Sequence, residues 1–308
     1  MHEAALSYGS AATSAPQPKA AADLAAPHLA EFIGTFVLVA TVGCCALSPG
    51  DPTFSPTSIG FIAMVMIYGT GPSSGGNLNP AVSFSLGLIG HLKWTVVLRY
   101  ILVQAVAAIA AGSCFSLLFE KTKPVEPVWP FTWGYAAISE VIYTFLVCFV
   151  ANNCIASKRN NPKDDGNQFY GLAIGFSVIA GGYAAGGISG GFFNPAVFLG
   201  MAISGGGFKQ WALTYIVAEL LGATLAAIMF WVLRPEEYNL PDGGLADWEP
   251  RLHVRCASEF LGTSILVWLS WSSPLCLPTS SWSAPRCHHR RQSGRNITSS
   301  SPWPSAHA

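Results

Sequence analysis

Six long apolar runs divide the first 233 residues, at about 29–47, 56–74, 94–118, 133–155, 169–187 and 210–233. Each approaches the ~20 residues that carry a helix across the hydrocarbon core of a bilayer. The pattern predicts six spanning helices. The second run is the weakest, because Ile59–Tyr68 is short and runs into Gly71-Pro72. Two further apolar stretches, Val82–Ile89 and Val197–Ile203, are too short to span. Each follows an Asn-Pro-Ala triplet: Asn79-Pro80-Ala81 and Asn194-Pro195-Ala196. Asn is a favoured N-cap, and proline suits a first helical turn because its missing N–H would have no partner there. Each triplet therefore reads as the start of a half-helix. Residues 1–28 are rich in Ala, Ser and Pro without helical period and read as a disordered tail. They lack the basic start and apolar centre of a signal peptide.

Composition supports a lipid environment. The chain is 51% hydrophobic and 10% charged, against about 25% charged in soluble domains. Net charge is zero, so nothing favours nucleic acid or an acidic partner. The 31 glycines suit closely packed membrane helices. Of the eight cysteines, Cys44, Cys45, Cys114, Cys148 and Cys154 lie in apolar runs. No pair has zinc-ligand or CxxC spacing, so they read as buried thiols rather than as metal ligands or a disulfide framework. Lys158, Arg159 and Lys163 follow the fourth run, Lys93 precedes the third, and no Lys or Arg separates the first two. Positive residues favour the cytoplasmic side, so both ends of the six-span unit are expected there. Lys209 opposes this bias, as do Lys121 and Lys123 beside Glu120 and Glu126.

The chain repeats itself. Ser74-Gly75-Gly76-Asn77-Leu78-Asn79-Pro80-Ala81-Val82 returns 115 residues on (from 79 to 194) as Ser189-Gly190-Gly191-Phe192-Phe193-Asn194-Pro195-Ala196-Val197. Tyr100-Ile101-Leu102-Val103-Gln104 returns at the same offset as Tyr215-Ile216-Val217-Ala218-Glu219. Ala30-Glu31-Phe32 heads one half and Ser139-Glu140-Val141 the other. Each half holds three spans, an odd number, so the halves insert with opposite orientation. The two half-helices then enter from opposite faces and their positive N-terminal ends meet near the midplane. The glycine-rich backbone before each triplet is tolerated at that depth only when buried in protein or lining a wet cavity. A water molecule there would accept hydrogen bonds from both Asn amides and donate outward, which interrupts a proton-hopping chain, while the dipoles disfavour cations.

With these motifs the chain resembles the aquaporin, or major intrinsic protein, family. The resemblance rests on the two NPA boxes, their SGGxxNPAV flanks, AEFIGTF in the first span and SEVIYTF in the fourth, and it covers about residues 29–233. It implies an all-α hourglass of six membrane helices plus two re-entrant half-helices, one pore per subunit, and usually a homotetramer. It also implies a second constriction, which falls here on Ile59, Gly182, Gly191 and Val197. A one-residue register shift would exchange Gly182 for Gly181 or Tyr183. Strict water channels resemble a pattern of aromatic, His, small residue and Arg, and none of the aromatic, His or Arg is present at these positions. Such a throat is wide and apolar, and admits water together with urea, glycerol, ammonia or hydrogen peroxide. Some plant vacuolar aquaporins also carry Val at the last position. Glycerol facilitators usually place Arg-Asp after the second box, where this chain has Val197-Phe198. Family glutamates similar to Glu31 and Glu140 support the re-entrant loops, and the repeat-related pair Gln104 and Glu219 is expected to share that work. Arg99 is placed near the cytoplasmic end.

Beyond the channel unit, residues 234–255 read as a linker. Ala257-Ser258-Glu259-Phe260-Leu261-Gly262-Thr263 echoes Ala30-Glu31-Phe32-Ile33-Gly34-Thr35, so 256–270 reads as the start of a second repeat. Residues 271–308 have no periodicity and read as a disordered or frame-shifted tail, dispensable for transport; a regulatory tail with an amphipathic anchor is the alternative. Adjacent His288-His289 are too few ligands for a metal site. No nucleophile elbow, metal cluster or phosphate-cradling loop is present, so neither an enzyme nor a cofactor is expected. The reading is a passive channel for water and small neutral solutes in a plasma or internal membrane. A junction protein of the same fold with a closed pore is the competing reading.

Overall fold

The computed structural model describes residues 21–49, 52–120, 124–162, 167–207, 212–238 and 250–272. The chain forms α1 (Ala21–Leu47), α2 (Ser55–Ser74), α3 (Pro80–Leu88), α4 (Trp94–Phe119), α5 (Trp133–Ala151), α6 (Tyr170–Ala185), α7 (Pro195–Ser204), α8 (Leu213–Leu233) and α9 (Leu252–Ser272). Helix α5 runs on through a π-helical turn, Asn152–Ala156. Among the described residues five helical segments are long and apolar enough to cross a membrane, with α6, at 16 residues, shorter. A 16-residue helix rises about 24 Å, short of the ~30 Å hydrocarbon core of a bilayer.

The repeat dictates the packing. Helices α1–α4 correspond to α5–α8, and α1 packs on α2 and α4 as α5 packs on α6 and α8. The halves meet through α2 against α6. Each half-helix leaves its own half: α7 packs against α4 and α3 against α8. A nine- or ten-residue helix buries too little to hold itself, so each half depends on the other and the two fold as one body. Small residues permit the approach. A Cβ on Gly112 in α4 would land on the Gly200 carbonyl oxygen of α7, and one on Gly222 in α8 would meet the Val141 carbonyl of α5.

Three features differ from the sequence reading. Helix α1 begins at Ala21, inside the segment read as a disordered tail. The stretch has no apolar period, but alanine is the strongest helix former, and Pro27 removes only one backbone hydrogen bond. Of the cysteines read as buried, Cys148 is buried, Cys44, Cys45 and Cys154 are half-buried, and Cys114 is exposed. An apolar run in a membrane faces lipid as readily as protein. Residues 234–238 are also more than linker. Glu236 is buried, Arg234 Nε donates to Asn153 Oδ1 at 2.9 Å, and the Lys158 N–H donates to Glu237 Oε1 at 2.8 Å. The Tyr238 hydroxyl donates to the Ile89 carbonyl at the end of α3, at 3.1 Å. Burial pushes the Tyr238 phenol above its ordinary value, which keeps it a donor. Segment 256–270 falls in α9, which packs against α6 and α8. Residues 1–20, 273–308, Lys121, Lys123, Lys163 and Lys209 lie outside the described residues.

Candidate functional site

Both Asn-Pro-Ala segments begin helices as their chemistry requires. Asn79 and Asn194 are extended N-caps with φ of −153° and −157°. Asn79 Oδ1 accepts the Ala81 N–H at 2.8 Å, and Asn194 Oδ1 accepts the Ala196 N–H at 2.9 Å. Pro80 and Pro195 occupy the first turns. The two caps are joined reciprocally. Asn79 Nδ2 donates to the Phe193 carbonyl at 2.9 Å, and Asn194 Nδ2 donates to the Leu78 carbonyl at 3.0 Å. Two helix N-termini are thereby held side by side, and each primary amide keeps a second N–H beyond these bonds. Both Asn residues line a narrow cavity of about 50 Å³ together with Asn77 and Val197.

Buried carboxylates hold the loops. Leu78 and Phe193, each just before a capping Asn, are non-glycine residues in the left-handed region at φ 51°. That conformation costs roughly 1–2 kcal/mol and needs external support. Glu31 supplies it in the first half: Oε1 accepts from Ser74 Oγ (2.6 Å) and Asn77 N (2.9 Å), and Oε2 accepts from Leu78 N (2.8 Å) and Gln104 Nε2 (2.8 Å). In the second half Glu140 Oε1 accepts from Ser189 Oγ (2.6 Å) and Phe192 N (3.1 Å), and Oε2 accepts from Phe193 N (2.8 Å). Glu219 Oε1 accepts from Asn194 N at 2.9 Å. All four of these polar residues are fully buried. Tyr100 and Tyr215 complete the frame by donating to the carbonyls of Ser74 and Ser189 at 3.0 and 2.7 Å. Neither tyrosine is singled out by the sequence reading, although the two share the 115-residue offset of the Asn-Pro-Ala boxes and of Gln104 and Glu219.

The four residues of the expected constriction are distributed over two adjoining cavities. A wide cavity of about 480 Å³ abuts the narrow one, and both are lined by Val42, Ile59, Val178, Gly191 and Phe192. The throat between them therefore contains Ile59 and Gly191. Gly182 lines only the wide cavity, with Pro56 packed where its Cβ would point, and Val197 lines only the narrow one. Tyr183 also lines only the wide cavity, its hydroxyl 2.6 Å from that of Thr57, while Gly181 backs onto the Phe193 ring. Val42 and Val178 carry no sequence signal of their own, because they are ordinary positions in apolar helices. Arg99 is exposed on α4. His91, in the turn between α3 and α4, is exposed, and partial desolvation of its ring holds it below its ordinary value. Among the described residues no group of three His, Cys, Asp or Glu gathers to hold a metal.

Comparison with known proteins agrees with this geometry. The family described as "Major intrinsic protein" matches residues 19–129 and 129–274. A probable aquaporin NIP-type from Nicotiana alata is 32% identical over 222 residues, covering 69% of this chain and 79% of its own. Aquaporin NIP2-1 from Oryza sativa subsp. japonica is 31% identical over 237 residues, covering 71% and 76%. The solved aquaglyceroporin from Plasmodium falciparum superposes with a TM-score of 0.58 over 67% of this chain and 94% of its own; at 20% identity it speaks to the fold alone. Paired half-helices capped by Asn79 and Asn194, an inverted repeat of membrane helices, and a family match across most of the sequence lead to one assignment: this multi-pass membrane chain belongs to the major intrinsic protein family.

Proposed function

We propose that the chain is a passive channel for water and small uncharged solutes, with a path through the wide cavity, the throat and the narrow cavity between Asn79 and Asn194. The reciprocal bonds of the two Asn side chains carry the reading. They fix two positive helix ends and two amide donors at one narrow point, where a water oxygen is held and a cation is disfavoured. The throat offers Val42, Ile59 and Val178 with the backbone of Gly191 and Phe192. Among the described residues no cationic side chain lines either cavity. A rim without a guanidinium discriminates mainly by size, so urea, glycerol, ammonia and hydrogen peroxide are the candidate solutes beside water. The names of the sequence relatives, aquaporins of NIP type, point the same way. A homotetramer with both ends of the six-span unit cytoplasmic is part of the proposal.

The test is purified chain in liposomes, followed by light scattering after osmotic steps. Shrinkage under an impermeant osmolyte should be faster than in empty vesicles, and urea or glycerol gradients should give shrinkage followed by re-swelling. Shrinkage no faster than in empty vesicles would refute the channel and favour the junction reading.

A further inference from the structure

The two halves share a backbone but not a chemistry. In the first half Asn77 Nδ2 donates to Ser83 Oγ at 3.1 Å, and Gln104 Nε2 donates to that same oxygen at 3.0 Å and to Glu31 at 2.8 Å. At the 115-residue offset Asn77 becomes Phe192, Ser83 becomes Phe198 and Gln104 becomes Glu219. The polar cluster is replaced by aromatic packing. Phe192 stands edge-on to Phe198 at 6.1 Å and to Tyr215 at 5.4 Å. The carboxylate count rises from one to two in a less polar site.

Counting donors exposes the consequence. Glu31 collects four hydrogen bonds, whereas Glu140 collects three, and the place left open is on Oε2, which Gln104 fills in the first half. Glu219 arrives from the position equivalent to Gln104. Its Oε1 holds the Asn194 N–H, adjacent in sequence to the Phe193 N–H held by Glu140, and its Oε2 is buried without a partner. The titratable groups coupled to it are Glu140 and Cys148 from α5, with Tyr215 on its own helix. Helices α3 and α7 carry no titratable residue, and His253, Arg255 and Glu259 of α9 are exposed. No cation among the described residues offsets these two buried carboxylates, and two such charges side by side are costly unless one of them takes a proton.

We propose that Glu219 is a neutral carboxylic acid whose Oε2 hydrogen fills the open place on Glu140, making it the positioning residue for Asn194 that Gln104 is for the first loop. The second half then carries one negative charge, as the first does. A glutamine at 219 would supply the same donor from an amide, whereas an apolar side chain of similar length would supply neither donor nor acceptor.

The experiment compares full-length wild type, Glu219→Gln and Glu219→Met in lipid at neutral pH, by infrared spectroscopy and by water flux. Wild type should show the C=O stretch of a neutral acid that disappears in Glu219→Gln. Glu219→Gln should keep water flux within about twofold of wild type, while Glu219→Met should lose it by about tenfold, the Asn194 N–H being left without an acceptor. A wild-type spectrum in which the difference band belongs to a carboxylate would overturn the proposal. So would a Glu219→Gln chain that fails to fold or conducts as poorly as Glu219→Met. Should Glu219→Met itself not fold, the infrared band and the glutamine variant decide. The infrared readout needs no flux, so a wild type that conducts nothing defeats the channel reading while the proton is still located.

Discussion

Replacing Glu31 should separate the cost of losing an acceptor from the cost of losing the loop. In Glu31→Ala four donors lose their partner: Ser74 Oγ, Asn77 N, Leu78 N and Gln104 Nε2. The Ser74 hydroxyl already lies 3.4 Å from the Thr70 carbonyl and turns to it, so the Asn77 and Leu78 N–H groups and one Gln104 amide hydrogen are orphaned, while Gln104 Nε2 keeps its bond to Ser83 Oγ. At about 1–3 kcal/mol each, less the burial cost recovered when the charge is removed, the loss is about 3–5 kcal/mol. That is a large share of the 5–15 kcal/mol typical of a folded domain, roughly. Glu31→Gln is milder. With its NH₂ turned toward Ser74, the amide oxygen still serves Leu78 and Gln104, and only the Asn77 N–H is stranded, at about 1–3 kcal/mol. Thermal unfolding in detergent should therefore rank wild type above Glu31→Gln above Glu31→Ala, at about 2–4 °C per kcal/mol. Water flux per folded molecule should fall in the same order, because the Leu78 carbonyl fixes Asn194. A Glu31→Ala chain with native stability and native flux would show that the first loop holds itself, and the argument from its left-handed Leu78 would fail.

Other perturbations test the throat and the end of the channel unit. Val197→Arg places a guanidinium in a cavity of about 50 Å³ and should lower the ratio of urea or glycerol flux to water flux in liposomes; an unchanged ratio with normal water flux would remove Val197 from the narrowest path. A chain ending after Tyr238 should keep full flux, whereas one ending after Arg234 should lose stability, because it forfeits the Tyr238 bond to Ile89 and the Glu237 bonds to Lys158. Equal unfolding temperatures for the two truncations would show that residues 235–238 contribute nothing.

What was legible in the sequence, and what was not, follows from the solvent. Half-helices could be read because Asn-Pro is a strong start signal and eight apolar residues cannot span. Glu31 and Glu140 stood out because an ionisable group in an apolar run is rare. Tyr100 and Tyr215 were equally readable at the shared offset, but a tyrosine in a membrane helix draws less notice than a glutamate. Val42 and Val178 were not readable at all. A helix buried in lipid and protein is apolar on every face, so periodicity does not tell the side toward the throat from the side toward lipid. For the same reason the rotation of α6, which sets Gly182 against Pro56, could not be counted from a motif.

The apolar throat bears on how such a path would exclude ions without an arginine. A solute passing Val42, Ile59 and Val178 finds hydrogen-bond partners only on the backbone side, at Gly191 and Phe192. A neutral solute gives up part of its hydration there and recovers some of it at the carbonyls. An ion gives up far more, because desolvating an unpaired charge costs many times what desolvating a polar neutral group does. A cation that crossed this collar would next meet the positive ends of α3 and α7 at Asn79 and Asn194, which add a barrier of the same sign. Among the described residues an anion would find no cationic side chain along either cavity, and Val197 stands where the resemblance implies an Arg. The collar thus sets a general barrier to charge, the paired half-helices add one specific to cations, and solute size is left to the gap beside Gly191. Widening that gap should change which neutral solutes pass without opening the path to ions.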